Sequence, residues 1–151
     1  MAAVTMEWFT SGPANIVGGE TGGEAHTLDW ITVTVKVALL NALPNKDTAE
    51  FWSDISSTEV TGTGWAAGGV ALTSKAILRD NASNRIGLDA ADVSVPTVTV
   101  TGVTHIAVYK DTGTAATSAL LGFGTLDVTS GSSGGTLSIP WNTLGILTFT
   151  S

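Results

Sequence analysis

The chain has 151 residues, 43% of them hydrophobic and 13% charged, against about 25% charged in an average soluble domain. Six Lys plus Arg against thirteen Asp plus Glu leave a formal net charge of -7, which repels a phosphate backbone and argues against nucleic acid as a partner. There is no cysteine, which excludes a disulfide framework and a thiolate metal site.

The first twenty residues combine neither a basic segment nor an unbroken apolar run, so no secretory signal is expected. No stretch reaches the roughly 18 apolar residues of a membrane-spanning helix. Synthesis in the cytoplasm as a soluble chain is the expectation.

Residues 1–27 contain Gly18-Gly19, Gly22-Gly23, Pro13 and Asn15, a mixture that disfavours helix and strand alike. They are expected to form an extended N-terminal arm ahead of a single β domain over residues 28–151. The arm's apolar residues Met6, Trp8, Phe9, Ile16 and Val17 are too many for a solvated linker, whose composition is normally polar. Two uses stay open. They either cover the domain's own core or dock on a neighbouring subunit; the second makes them the candidate interface, with Trp8 and Phe9 as anchors.

Residues 28–41, LDWITVTVKVALLN, lack Gly and Pro, and Trp30, Thr32, Thr34 and Lys36 alternate with Ile31, Val33, Val35 and Val37, which predicts a strand. Residues 48–55 follow, where Thr48 is a candidate cap and Phe51 and Ile55 share one side of a helical turn. Gly62, Gly64, Gly68 and Gly69 predict a loop that enters a strand at 70–78. Residues 80–84, DNASN, predict a turn, because Asn and Asp bond their own backbone. Further strands are expected at 85–88, around Pro96, at 104–110, 120–128, 137–141 and 145–150, with DTGTAATS and TSGSSGG as loops.

Short strands separated by turn signals at intervals of roughly 8–12 residues, with no long amphipathic helix for a crossover, predict an all-β fold. The expected form is an antiparallel β-sandwich or a jelly-roll or barrel-like fold. The β-branched residues that replace charge suit pleated strands.

Candidate chemistry is sparse. His26 and His105 are the two histidines, and no nucleophile is marked beside either. Asp47, Glu50, Asp54 and Glu59 lie close in sequence and could supply the paired acid and base of a glycoside hydrolase, although a solvated face has the same composition. Asp80, Asn81, Asn84, Asp89 and Asp92 offer hard oxygen ligands suited to calcium, without the EF-hand pattern. The string from Gly62 to Gly69 has the glycines of a phosphate-cradling loop, but neither a Lys nor a hydroxyl residue follows it directly. Five tryptophans, Trp8, Trp30, Trp52, Trp65 and Trp141, suit cores, interfaces or sugar-binding platforms.

The succession KVALLN, DTAEFWSDISSTEVTGTGWAAGGVALTSKAI, IGLDAADVSV, HIAVYKDTGTAATSALLGFGTLDV and LSIPWNTLGILTFT resembles a family of small virion structural proteins of tailed bacteriophages. The resemblance spans roughly residues 35–150. It is carried best by EVTGTGWAAGG (59–69), LDAAD (88–92) and Val108-Tyr109-Lys110-Asp111. It implies residence in the virion and names no catalytic residue.

The expectation is therefore a non-enzymatic protein without cofactor or metal. The leading role is a capsid decoration, or cement, protein that binds the major capsid protein on the outer head surface and contacts copies of itself as a homotrimer, with neither nucleic acid nor membrane as partner. The alternative is a tail, neck or fibre-associated component with a receptor- or carbohydrate-binding role.

Overall fold

A computed structural model describes residues 2–17, 29–128 and 131–150. Half of the chain is strand and a tenth is helix, and the strands form several antiparallel sheets, so the fold is all-β. In chain order the elements are β1 (Met6–Trp8), α1 (Gly12–Val17), β2 (Val35–Leu40), α2 (Trp52–Ile55), β3 (Glu59–Val60), β4 (Val70–Ala71) and β5 (Ala76–Asp80). They continue with β6 (Arg85–Asp89), β7 (Val93–Val100), β8 (Val103–Lys110), β9 (Leu120–Val128), β10 (Ser132–Ile139) and β11 (Leu147–Thr150).

The largest sheet runs β1-β9-β8-β2-β3, with β4 also paired to β2. Two smaller sheets, β10-β7 and β11-β6-β5, complete the set. In β2 the two faces are buried in different cores. Val35, Val37 and Leu39 join Ile106 and Val108 of β8 in a core shared with Val98, Leu137, Ile139 and Leu147 of the smaller sheets, which makes the arrangement sandwich-like. On the other face, Ala38 and Leu40 pack with Ala107, Tyr109, Leu120 and Phe123 beneath Phe9, Ala49, Trp52 and Ile55. Alternation by period two sends neighbouring residues of one strand into separate layers, and apolar residues at successive positions are therefore required here.

Several expectations need correction. The segment read as an extended arm contains both a strand and a helix: β1 pairs with β9 through Met6↔Gly124, Glu7↔Phe123 and Trp8↔Gly122, and α1 follows it. Glycine permits the pairing. A Cβ on Gly122 would lie 2.6 Å from Leu147 Cδ2 and 2.9 Å from the Glu7 carbonyl, so the close approach of β1 and β11 requires the bare backbone. The strand expected from residue 28 begins at Val35, because Asp29 takes the amides of Ile31 and Thr32 and holds residues 29–33 in a turn. The helical turn at α2 is capped by Asp54, which accepts the Glu50 and Phe51 amides at 2.9 Å, and not by Thr48. The strand expected over 70–78 is broken into β4 and β5 at Ser74, whose φ is 50°. Part of the expected loop TSGSSGG belongs to β10, since Ser132 and Ser133 pair with Val100 and Thr99. Pro96 is accommodated where the register of β7 against β10 slips between Val95 and Val98, beside Thr97 at φ 61°.

Phe9 is 0% exposed, with its ring centroid 5.0 Å from that of Phe123. Its replacement, Phe9→Ala, is expected to lower the free energy of unfolding by about 3–5 kcal/mol, the cost of emptying a large aromatic site in a core. Denaturant titration measures this, and an unchanged midpoint would refute the placement.

Candidate functional site

The five residues expected at an interface are placed as follows. Phe9 is core. Met6 and Trp8 pack against the other core, and Trp8 lies against Phe149 with ring centroids 4.7 Å apart and its Nε1 donating to the Thr148 carbonyl at 3.0 Å. These three therefore serve the chain's own packing. Ile16 and Val17 lie in α1, and their side chains, like all of His26, are outside the described residues.

The acidic cluster does not converge. Asp47 accepts Thr10 Oγ1 at 2.7 Å, Asp54 caps α2, and Glu59 turns to the glycine loop. The calcium candidates also have separate work. Asp80 closes its turn through the amides of Ala82 and Ser83 and pairs with Arg85 at 2.9 Å, while Asp92 accepts the Trp141 amide at 2.8 Å. Among the described residues, no group of three or more His, Asp or Glu side chains gathers in a way that could hold a metal. His105 Nδ1 meets Thr104 Oγ1 at 2.8 Å. Trp30, Trp52, Trp65 and Trp141 are buried and Trp8 is half-buried, so the aromatic platform a sugar ring needs is not displayed by the tryptophans.

What the fold does bring together is the pair of motifs EVTGTGWAAGG and VYKD. The loop between β3 and β4, residues 61–69, crosses from the large sheet to β7 and back. At its outward end Thr63 bridges to Thr99, whose amide donates to the Thr63 carbonyl at 2.8 Å. Midway, Trp65 is 1% exposed and inserts into the core between the sheets. At the returning end, Gly68 is held from two sides: its amide donates to Glu59 Oε1 at 2.5 Å, and its carbonyl accepts the Tyr109 hydroxyl at 2.6 Å. Gly69, with φ 76°, leaves 1.9 Å between the position of a Cβ and the Val37 carbonyl, so only glycine passes there. Tyr109 is stacked on Trp52, with centroids 4.6 Å apart and planes 8° from parallel. Beside it, Lys36 Nζ pairs with Asp111 Oδ2 at 2.7 Å.

This loop answers the question raised by its glycines. The amides of Gly62, Trp65 and Gly69 donate within the loop, and that of Gly68 donates to the chain's own carboxylate. Burial pushes the Glu59 carboxyl upward, and the Gly68 amide and the Lys36 charge offset only part of that. Burial also raises Asp111, but the hydrogen bond and charge of Lys36 and the Gly113 amide outweigh it and leave that carboxyl below its usual range. The Tyr109 phenol is pushed well above its ordinary value of 10.0 by burial first, then by the charges of Asp111 and Glu59. The groups are arranged to hold a loop: Glu59 and Tyr109 bond the Gly68 backbone, and Lys36 and Asp111 bond each other.

Open grooves do exist. One, about 440 Å³, runs beside Ala2, Ala3, Val4, Thr5 and Glu7 against Thr125 and Leu126 of β9. A second, about 280 Å³, is lined by Thr61, Thr99, Thr101, Ser132 and Ser133 among others. Neither includes the Lys36, Asp111 and Tyr109 group. Comparison of the chain with protein-family models, curated proteins and solved structures finds no match.

The sequence marks both motifs but not their contact, because its key bonds run to the backbone. Glu59 to the Gly68 amide is a contact across nine residues with no side-chain partner to mark it. Two outcomes are expected. Tyr109→Phe, which keeps the ring on Trp52 but leaves the Gly68 carbonyl without its donor, should lower stability by about 1 kcal/mol in denaturant titration. Because the chain has a single tyrosine, the ultraviolet absorbance of phenolate reports Tyr109 alone, and it should stay absent well above pH 10. The folded state favours the neutral phenol, so its contribution to stability is present below the ordinary value and is lost as pH rises beyond it.

Proposed function

We propose that this chain is a structural protein of a tailed-bacteriophage virion, and that it decorates the outer capsid surface, clamping capsomers through many weak, repeated contacts. The observation that carries the proposal is the character of the outer β faces. Ser94, Thr97, Thr99, Thr101, Ser133 and Thr136 are exposed on β7, β10 and their ends, and Ile77 and Ile86, on β5 and β6, stand 54% and 45% exposed. The hydroxyls of β7 and β10, with little charge to desolvate, and the neighbouring aliphatics of β5 and β6, beside the exposed Arg79, suit broad contacts with another protein. The resemblance of residues 35–150 to phage structural proteins supplies the setting.

In this reading the partners are the major capsid protein and two further copies of the chain, forming a trimer with closed symmetry. The tail, neck or fibre alternative uses the same scaffold. Its carbohydrate-binding form loses support from the burial of the tryptophans.

Copy number decides between them. Quantification against the major capsid protein in purified virions is expected to give hundreds of copies per particle, in fixed ratio to the capsid lattice. A handful per particle would place the chain at a tail or neck, and absence from purified virions would overturn both readings. Light scattering of the isolated protein is expected to give the mass of three chains.

A further inference from the structure

We propose that the loop over residues 61–69 is a latch between the sheets that is drawn tighter when Glu59 takes up a proton. The geometry supplies both parts of such a device. The loop joins the large sheet to β7 through Thr63 and Trp65, and its return to β4 is held at one residue, Gly68, by one carboxylate and one phenol. Its anchor, β3, is a two-residue strand paired to β2 only through Leu39↔Val60 and Leu40↔Glu59. A change at Glu59 therefore acts on a short, local element.

Burial, and not a neighbouring anion, is what opposes the ionised form of Glu59. From β2 it faces Lys36, but that ammonium is paired with Asp111 at 2.7 Å. From β8 it faces Tyr109, a neutral phenol, while His105 stands in register across Leu40 from it. The loop and β4 contain no ionisable side chain, and Asp54 of α2 is engaged by the Glu50 and Phe51 amides. Glu59 is thus a half-buried anion whose direct partner is a backbone amide. Protonation removes the cost of holding that charge away from water, and the carbonyl oxygen of the neutral acid still accepts the Gly68 amide.

The sign follows from proton linkage. Burial raises Glu59 above its ordinary 4.5, so the closed state binds the proton more tightly than the open one, and closure strengthens as pH falls from the raised value toward 4.5. Asp29, Asp80 and Asp111 are shifted downward from 3.8. They act in the opposite sense but in a more acidic window.

Amide hydrogen exchange read by NMR, corrected for the intrinsic rate, tests this in the intact chain. Between about pH 7.5 and about pH 5 the protection of the Gly68 amide is expected to rise about threefold or more, with no matching rise at Gly87 in the β11-β6-β5 sheet. In Glu59→Gln, which is neutral and retains the carbonyl acceptor, the Gly68 profile is expected to be flat. A flat profile in the natural protein, an equal rise in Glu59→Gln, or a parallel rise at Gly87 would each overturn the proposal. Should Glu59→Gln fail to fold, the Glu59 carboxyl carbon can be titrated in the natural protein. A midpoint above 4.5 supports the latch and one at or below it overturns it.

Discussion

The pairing of β2 with β8 is the constraint to which the remaining structure answers. Six consecutive residue pairs, from Val35↔Lys110 to Leu40↔His105, join the two strands in the middle of the large sheet. Both strands bury side chains on both faces, so a slip of one residue would exchange the two cores rather than turn an apolar face to water. The cores are not interchangeable. One accommodates Trp65 and the aliphatics of the smaller sheets; the other fits the stacked Trp52 and Tyr109 and the ring of Phe9. Register is thereby specified by shape, in a strand pair whose hydrophobicity alone would leave it ambiguous.

Legibility in the sequence followed how local each element is. The strand expected over 120–128 is β9 to the residue, and those expected at 104–110 and 85–88 differ from β8 and β6 by a single terminal residue. In each, the apolar run and its flanking turn residues lie within one short window. Where a distant partner decides, the reading failed. Met6–Trp8 is a strand because Gly122 and Gly124 of β9 leave space for it, information lying more than a hundred residues downstream. Ser132 and Ser133 are strand because β7 offers them a ladder, although their composition suits a loop.

The candidate site shows the same division. The motifs at 59–69 and 108–111 could be singled out as strings, but what joins them is the Tyr109 hydroxyl reaching the Gly68 carbonyl. Neither propensity nor spacing encodes that bond. The isolated acids around Asp47 and Asp80 looked like potential chemistry for the converse reason: carboxylates that close turns and cap helices have the same composition as carboxylates that act on a substrate.

The seat of β1 beside β9 also governs the order in which the molecule can form. Met6 meets Gly124, and Trp8 reaches the carbonyl of Thr148, so β1 has no lasting partner until most of the described chain that follows it has left the ribosome. Closing so long a loop is slow. Until it closes, the ring of Phe9 and the edge of β9 are open to other chains, and the risk of misassembly is greatest in that interval.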